Sequence, residues 1–398
     1  MTEQNADREM EAGPGEGTTV ALVLGSGGAR GYAHIGVIEV LCEQGYNITA
    51  IAGASMGSLI GGMFGAGRLQ DYKDWVTGLD QFQLLRLLDF SLGSPGAIRG
   101  EKIFGVVREM LGDTRIEDLP IGYTAVATDL LAHKEVWFQQ GPLYQAVRAS
   151  TAIPSVLTPV MLDGRVLVDG GLLNPVPIIP TVAAHADMII AVNLSGQDRR
   201  YRNLPPLDQW SEYERIEGTD WPDVRRAKSS PQAHEEAPES EVDPADDGQA
   251  PSDEWLERLK QRAVRWFDWD NPEGDEWRDN KASSEEEALE RAQARFAMKS
   301  KKGSEARPVS LQELGLGKFD VMNLSIETMQ HSLTRYKLAG YPPDVVINFP
   351  KHVCRSFDYH KAPELIQLGR MLAEDALDEY RHYGASSSRP VPGGPARQ

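Results

Sequence analysis

The sequence predicts an α/β fold of three layers, in which a mainly parallel central sheet lies between helices. Two strand–turn–helix units follow one another within residues 18–67. Their strands, Thr19–Leu24 and Ile48–Ala52, are continuous apolar runs of the kind that a parallel sheet buries on both faces. Because strands that alternate with helices form parallel sheets covered on both sides, these two units predict the fold class.

Each of these strands is followed by a glycine-rich connection and a helix. The first connection is the loop Gly25–Gly31, and its helix is expected over Ala33–Gln44. The second is a tight turn at Gly53–Gly57, followed by a helix of small residues. Residues 48–67 carry no charge and are long enough to cross a bilayer, but six of them are glycine, which costs roughly 1 kcal/mol against alanine in a helix interior. We therefore interpret them as a strand and a helix of a soluble domain.

Shorter apolar and amphipathic runs predict the remaining elements. We expect strands at Tyr123–Thr128, Lys134–Phe138, Arg165–Val168, Met188–Leu194 and Val345–Phe349. We expect helices at Leu143–Ala149, Met322–Leu338 and Pro363–Tyr383.

Composition indicates a long acidic insertion in this fold. The formal charge is −18, from 41 lysines and arginines and 59 aspartates and glutamates, and 25 acidic against 10 basic residues lie between Ser211 and Glu290. A negative average surface repels a phosphate backbone, which argues against a general nucleic-acid binder. We expect a disordered N-terminal arm (1–17), a core (18–197), an acidic, partly disordered and partly helical insertion (198–310), a C-terminal part of the core (311–384) and a disordered tail (385–398).

The strongest local motif is Gly53-Ala-Ser55-Met-Gly57, a G-x-S-x-G pattern between a strand and a helix. A sharp turn there strains the serine backbone and projects its hydroxyl clear of the sheet, while the flanking glycines let strand and helix pass closely. The start of the helix also favours a developing negative charge. The motif predicts a nucleophile, although a glycine-rich turn with an ordinary serine N-cap has the same letters.

The loop Gly25–Gly31 matches neither common phosphate-binding motif. Arg30 stands where a dinucleotide site needs its third glycine, and the Gly-Lys-Ser/Thr of a P-loop is absent. What remains is a run of free backbone N–H groups at a helix start, which suits an oxyanion hole, with the positive charge of Arg30 nearby. A plain turn is the alternative.

A nucleophilic serine needs a base, and we consider two candidates. Asp169 ends an apolar strand and precedes Gly170 and Gly171, so its carboxylate lies at the strand end where α/β active sites collect. Burial would raise its pKa and make it a better base. A turn-forming Asp-Gly is the alternative. His34 lies one turn inside the first helix and is preferred as a packed residue.

Together, Gly27-Gly-Ala-Arg-Gly31, Gly53-Ala-Ser-Met-Gly57 and Asp169-Gly-Gly171 resemble, in order, the blocks of patatin-like phospholipases, most closely the bacterial branch related to neuropathy target esterase. The resemblance spans about Thr18–Gln197 and, more weakly, Leu311–Tyr383. Ala152–Pro159 and Asn174–Pro177 also resemble segments of that family, and we assign them only packing roles. The acidic insertion departs from the compact members of that family.

The resemblance also implies the residue roles. Ser55 and Asp169 would form a catalytic dyad without histidine, and Arg30 would be the usual basic residue of its block. The oxyanion hole would use the amides of Gly27, Gly28 and Ala29, and the motifs would be supported by Gly31, Gly53, Gly57, Gly170 and Gly171.

The implied activity is that of a serine acyl hydrolase that cleaves fatty-acyl esters of lipids or phospholipids, as a lipid esterase, phospholipase A or lysophospholipase. No metal or organic cofactor is implied, since no cysteine–histidine cluster has ligand spacing. Two alternatives stay open. One is an acyltransferase with the same dyad, and the other is a non-catalytic lipid-binding or regulatory protein.

The insertion contains one distinctive helical pattern, over residues 255–267. On a helix, a stripe with Trp255 and Trp266 would lie opposite a side rich in arginine and lysine. This pattern is typical of a helix that lies on a membrane surface. A lid packed on its own domain is the preferred interpretation, and either would lie near a lipid entrance. The acidic N-terminal residues lack the apolar run of a signal peptide. We therefore expect a cytoplasmic protein, with peripheral contact at the inner face of the membrane as the open alternative.

Overall fold

The computed structural model describes residues 14–79, 100–154, 156–196, 199–201, 204–207, 210 and 318–384. The helix predicted at 255–267, nearly all of the acidic insertion and the C-terminal tail lie outside the described residues. Of the N-terminal arm, only residues 14–17 are described.

The described strands form a single mixed sheet in which parallel pairing predominates. Its order is β5-β6-β3-β2-β1-β7-β8, with β4 paired to β3 beside this path. The pairs β1–β2, β1–β7, β2–β3 and β7–β8 are parallel, whereas β3–β4, β3–β6 and β5–β6 are antiparallel. The strands are β1 Thr19–Leu24, β2 Asn47–Ala54, β3 Gly122–Asp129, β4 Lys134–Phe138, β5 Val160–Leu162, β6 Arg165–Asp169, β7 Met188–Gly196 and β8 Val345–Pro350.

Helices flank this sheet, so the predicted α/β fold with its mainly parallel sheet is confirmed. The described α-helices are α1 Ala33–Glu43, α2 Met56–Gly65, α3 Leu69–Thr77, α4 Glu101–Leu111, α5 Leu143–Ser150, α6 Lys318–Gly340 and α7 Ala362–Gly384. None of the helices in these described ranges combines the length and the apolar character needed to cross a membrane.

The core explains why β1 is the clearest strand in the sequence. Residues 20–24 are fully buried, because β2 and β7 pair with β1 on its two sides and helices cover the sheet. The helices α1 and α7 cross backbone to backbone, since a Cβ on Gly36 would come within 2.0 Å of the Ile366 carbonyl oxygen. The C-terminal part of the described chain is thereby packed on the first strand–helix unit.

Several elements are absent from the sequence prediction. The helices α3 and α4 have only 9 and 11 residues, and each buries only two or three side chains. The strand β5 has only three residues. Segments this short repeat a periodic pattern only two or three times, whereas the long apolar strands are predicted to within two residues.

The sheet brings the carboxyl ends of two strands, β2 and β6, together at β3. The strand β4 pairs with residues 125–129 along one edge of β3. The strands β2 and β6 pair with some of the same β3 residues, so both must lie along the other edge of β3. There, Ala54 at the end of β2 pairs with Val126, and Asp169 at the end of β6 pairs with Ala127. Because β2 runs parallel and β6 antiparallel to β3, their carboxyl ends meet at this point.

Candidate active site

Ser55 occupies the strained turn that the sequence predicts. Its φ of 55° and ψ of −126° are unusual for a residue with a side chain and cost about 1–3 kcal/mol. The flanking glycines are required, because a Cβ on Gly57 would lie 2.0 Å from the Leu24 carbonyl oxygen and one on Gly53 would lie 2.4 Å from the Gly57 backbone. The Ser55 side chain makes no capping hydrogen bond to α2, which removes the ordinary N-cap interpretation.

The Ser55 hydroxyl instead donates a hydrogen bond to Asp169. The distance from Ser55 Oγ to Asp169 Oδ2 is 2.5 Å, and both side chains are buried. Asp169 Oδ1 accepts a hydrogen bond of 2.7 Å from the Gly171 amide, so both carboxylate oxygens are oriented. The strand end at β3 therefore brings together two residues that are 114 positions apart.

Burial raises the pKa of Asp169 to about 6, although the hydrogen bonds from Ser55 and Gly171 act in the opposite direction. The next residue, Gly170, packs so closely on β3 that only glycine is accommodated, because a Cβ there would lie 1.9 Å from the Val126 carbonyl oxygen. A buried carboxylate with a pKa near neutrality, bonded to a serine hydroxyl, is the pairing that general-base activation of a nucleophile requires.

The glycine-rich loop packs against the turn that contains Ser55 and against the turn that follows Asp169. A Cβ on Gly31 would come within 2.3 Å of the Met56 side chain, and one on Gly171 would come within 2.3 Å of Ser26 Oγ. Gly28 has a φ of 58°, and a Cβ there would lie 2.3 Å from the Ser356 carbonyl oxygen. The loop is therefore held between the serine turn and a turn of the C-terminal segment.

The predicted oxyanion donors are not equivalent. The Ala29 amide donates to the Ser356 carbonyl oxygen at 2.8 Å, so it is engaged away from the serine, and we correct the predicted set on this point. Among the described residues, the amides of Gly27 and Gly28 have no acceptor. These two amides remain the predicted donors to a developing oxyanion.

Arg30 ties the loop to the C-terminal segment. It is almost fully buried, and its Nη2 donates to Ser356 Oγ at 2.9 Å while its Nε donates to the Gly27 carbonyl oxygen at 3.3 Å. Its Nη2 also lies 3.8 Å from a carboxylate oxygen of Glu327, which in turn lies 3.6 Å from Lys351 Nζ. Arg30 is thus directed into a network of the protein itself.

The C-terminal segment also contacts the Asp169 turn, through residues that stand in no local sequence motif. Gln330 of α6 donates through Nε2 to the Gly171 carbonyl oxygen at 3.0 Å. Tyr359 packs edge-on against Tyr32, and the pKa of Tyr359 is raised, first by burial and then by the charge of Asp169. Ser356, Gln330 and Tyr359 reach the site only through the fold.

His34 has the packed position that is preferred for it from the sequence. Its ring is buried, and Nε2 donates to the Gly25 carbonyl oxygen at 2.8 Å. Burial lowers the pKa of His34 to about 4, so the ring is neutral at physiological pH. Its described hydrogen bond supports the glycine-rich loop rather than the Ser55 hydroxyl.

The titratable side chains of the site are not grouped as metal ligands. Across the described ranges, no three histidine, cysteine, aspartate or glutamate side chains come together in a way that could hold a metal ion. Asp169 is bonded to Ser55 and Gly171, and His34 to the Gly25 carbonyl oxygen, so both side chains are engaged with the protein itself.

The chain is similar to several known proteins. A family model described as patatin-like phospholipase matches residues 22–182, which include Ser55, Asp169 and the glycine-rich loop. An uncharacterized NTE family protein of Mycobacterium tuberculosis is 41% identical over 386 residues, which cover 91% of this chain and 92% of that protein, and one of Mycobacterium bovis matches to the same extent. Patatin-like phospholipase domain-containing protein 6 of Homo sapiens is 33% identical over 189 residues, or 46% of this chain and 14% of the human protein.

Proposed function

Because the chain belongs to the patatin-like phospholipase family, among the NTE family proteins, we propose that it hydrolyses fatty-acyl esters of lipids through a serine–aspartate dyad. The family implies a lipid ester hydrolase. The proposal adds the residues: Ser55 as nucleophile, Asp169 as general base, and the amides of Gly27 and Gly28 as oxyanion donors. The 2.5 Å hydrogen bond between Ser55 and the buried Asp169 is the observation that carries it.

In the acylation half of the reaction, Ser55 Oγ attacks the ester carbonyl carbon and Asp169 Oδ2 accepts the hydroxyl proton. The carbonyl oxygen becomes an oxyanion, which the Gly27 and Gly28 amides stabilise. When the tetrahedral intermediate collapses, the bond to the leaving alcohol breaks and Asp169 returns the proton to that alcohol. Ser55 is left as an acyl ester.

In the deacylation half, water replaces the alcohol. Asp169 accepts a proton from this water, whose oxygen attacks the acyl carbonyl, and then returns the proton to Ser55 Oγ as the fatty acid leaves. One residue serves as base and acid in turn, which suits a carboxyl whose pKa is raised to about 6. Acylation of Ser55 removes the hydrogen bond to Oδ2, so the bond from the Gly171 amide to Oδ1 is the one that can hold the carboxyl in place through both halves.

The test is turnover of an acyl-ester series from short to long chains by the wild type, Ser55→Ala and Asp169→Asn. Both variants should lose nearly all turnover, by about 10³-fold or more, while remaining folded. Ser325→Ala and Asp163→Asn are matched controls, because both side chains are exposed, and they should keep full activity. Turnover retained by Ser55→Ala would overturn the mechanism.

The same assay separates hydrolysis from acyl transfer. Repeating it with an alcohol or lysolipid acceptor should still give free fatty acid as the main product. An acylated acceptor as the main product would instead identify an acyltransferase that uses the same dyad. A wild-type protein that turns over none of the esters would favour the lipid-binding alternative.

The sequence pattern at residues 255–267 supports a further proposal, peripheral contact with a membrane surface. Its tryptophan stripe would enter the headgroup region and its basic side would face anionic lipid. Flotation with anionic liposomes should fall several-fold in a Trp255→Ser/Trp266→Ser variant. Unchanged flotation would reject the membrane contact and leave a lid as the interpretation of this segment.

A further inference from the structure

We propose that Ser150, the last residue of α5, is a positioning residue that holds the Ser55 backbone in its strained conformation. The proposal deepens the function proposed above and rests on it. The segment that follows Ser150, Ala152–Pro159, is assigned only a packing role from the sequence, so the proposal gives this region a part in the chemistry.

Ser150 forms a hydroxyl bridge between the serine turn and β3. The Ser55 amide donates to Ser150 Oγ at 3.0 Å, and Ser150 Oγ donates to the Val126 carbonyl oxygen at 2.6 Å. The Ser150 side chain is completely buried, so water does not compete for either partner. Because an amide N–H only donates and a carbonyl oxygen only accepts, the direction of both hydrogen bonds is fixed, from Ser55 through Ser150 to Val126.

The bridge lies at the point where the regular β2–β3 pairing stops. Ala54 pairs with Val126, and the turn then carries the Ser55 amide away from the strand. A buried amide without an acceptor is costly, and the Ser150 hydroxyl supplies that acceptor. The same hydroxyl satisfies the Val126 carbonyl, against which Gly170 packs. One side chain thus links the serine turn to the Asp169 turn.

The residues after Ser150 fix the second half of the dyad. The Asp169 amide donates to the Ala152 carbonyl oxygen at 2.9 Å, so the end of α5 holds the backbones of both Ser55 and Asp169. A displacement of about 1 Å between reacting groups can lower a rate by about a hundredfold. Because Ser150 touches neither the hydroxyl nor the carboxylate of the dyad, its removal should lower the rate of chemistry and leave substrate binding unchanged.

The test uses the full-length chain and a fluorophosphonate probe. In this reaction, Ser55 Oγ forms a bond to phosphorus, fluoride leaves and the hydroxyl proton passes to Asp169. The end-point amplitude counts folded, competent sites, and the rate constant reports how well each site is aligned. Thr181→Val is the control, because Thr181 is a buried hydroxyl that bonds to a carbonyl oxygen outside the site.

We expect Ser150→Ala to reach full amplitude with a rate constant roughly ten to a hundred times below that of the wild type. In an ester assay, its kcat should fall with KM unchanged. Ser150→Cys, which keeps a weak donor and acceptor, should lie between Ser150→Ala and the wild type. Thr181→Val should match the wild type in both amplitude and rate.

Two results would overturn the positioning role. One is a Ser150→Ala variant that labels at the wild-type rate, and the other is a loss of amplitude in both Ser150 variants with an unchanged rate constant, which would indicate a purely structural role. A wild-type chain that does not label at all would instead contradict the proposed function. The two failures are therefore distinguishable in one experiment.

Discussion

The two halves of the candidate site are supported by different parts of the chain. The dyad of Ser55 and Asp169 is held by strand pairing along β3, between elements that all lie within residues 47–169. The glycine-rich loop is held by the C-terminal segment, through bonds from Ala29 and Arg30 to Ser356, which is more than 300 positions away. The dyad is therefore held mainly by the sheet, with one added bond from Gln330 to the Gly171 carbonyl oxygen, whereas the loop depends on a segment that follows the acidic insertion.

This difference suggests how each half should respond to damage. Disrupting the sheet side should remove the nucleophile altogether, because the strained turn at Ser55 is held by the pairing of β2 with β3. Disrupting the C-terminal side should leave the dyad reactive but weaken stabilisation of the oxyanion. Substitutions on the sheet side should therefore have the larger effects.

The largest effect is expected from Gly57→Ala on the dyad side. The new Cβ would lie 2.0 Å from the Leu24 carbonyl oxygen, a backbone atom that cannot move without displacing β1. We expect esterase activity to fall by about 10³-fold or more and the free energy of unfolding to fall by about 2 kcal/mol or more. Activity assays and urea unfolding measure both.

Gly105→Ala is the matched control for that substitution. Gly105 lies inside α4, and a Cβ there would meet no described atom outside its own helix within 4 Å. Alanine should therefore raise the free energy of unfolding by up to about 1 kcal/mol and leave activity unchanged. Equal losses of activity in the two variants would contradict the role given to the serine turn.

A smaller effect is expected from Arg30→Met on the loop side. This change removes the hydrogen bond to Ser356 Oγ, while the bond from the Ala29 amide to the Ser356 carbonyl oxygen remains. We expect kcat to fall roughly tenfold to a hundredfold with little change in KM, since the oxyanion donors move and the dyad stays. Arg68→Met, which removes an exposed ion pair, is the control and should be neutral. A loss as complete as that of Ser55→Ala would show that the two halves are not separable.

Activity and stability should respond to pH in opposite directions at Asp169. Activity needs the carboxylate, so kcat/KM should rise as the pH increases through about 6. Stability has the other sign: burial raises the pKa from 3.8 to about 6, so the folded state keeps a proton that the unfolded state has lost. The free energy of unfolding should therefore fall as the pH rises through this range, by about 3 kcal/mol in total.

Asp169→Asn isolates that contribution. The variant lacks the titrating group, so the difference in unfolding free energy between variant and wild type should grow in the variant's favour from pH 4 to pH 7. Chemical denaturation at both values measures it. A difference that does not change with pH would mean that the pKa of Asp169 is not raised.

The smallest effect is expected from Lys351→Met at the edge of the loop support. Lys351 and Glu327 are partly exposed and 3.6 Å apart, and such pairs contribute at most about 1 kcal/mol. We expect a twofold to threefold change in kcat, since Arg30 keeps its bond to Ser356. Steady-state kinetics at low and high salt would check it, and a tenfold or larger loss would give this ion pair a greater part in holding the loop.

The same contrast explains how far the sequence could predict the molecule. The strands β1, β2, β3 and β7 are long apolar runs, so their positions could be predicted from the hydrophobic pattern and the glycines of the turns. The α/β class follows from the alternation of such strands with helices. The antiparallel return of β6 along β3 left no such signal, although it is what places Asp169 beside Ser55. Which strands become neighbours is a property of the whole sheet, so the local pattern of β6 does not identify β3 as its partner.

The site shows the same limit at the level of single residues. Ser55 and Asp169 stand in short motifs whose glycines are required by close backbone contacts. Ser356 and Gln330 stand in no motif, and both lie far along the chain from the residues they contact. Ser356 acts through its hydroxyl and its carbonyl oxygen, and Gln330 acts through its side-chain amide. The amide of Ala29 is predicted as an oxyanion donor because nothing local indicates that Ser356 engages it.

The central claim is that Ser55 is the nucleophile and Asp169 its base. Intact-mass measurement and peptide mapping after fluorophosphonate treatment test it most directly. The account predicts one adduct per chain, located on Ser55, that forms faster as the pH rises through about 6 and is nearly absent in Asp169→Asn. An adduct on any other residue, or equal labelling of Asp169→Asn and the wild type, would contradict it.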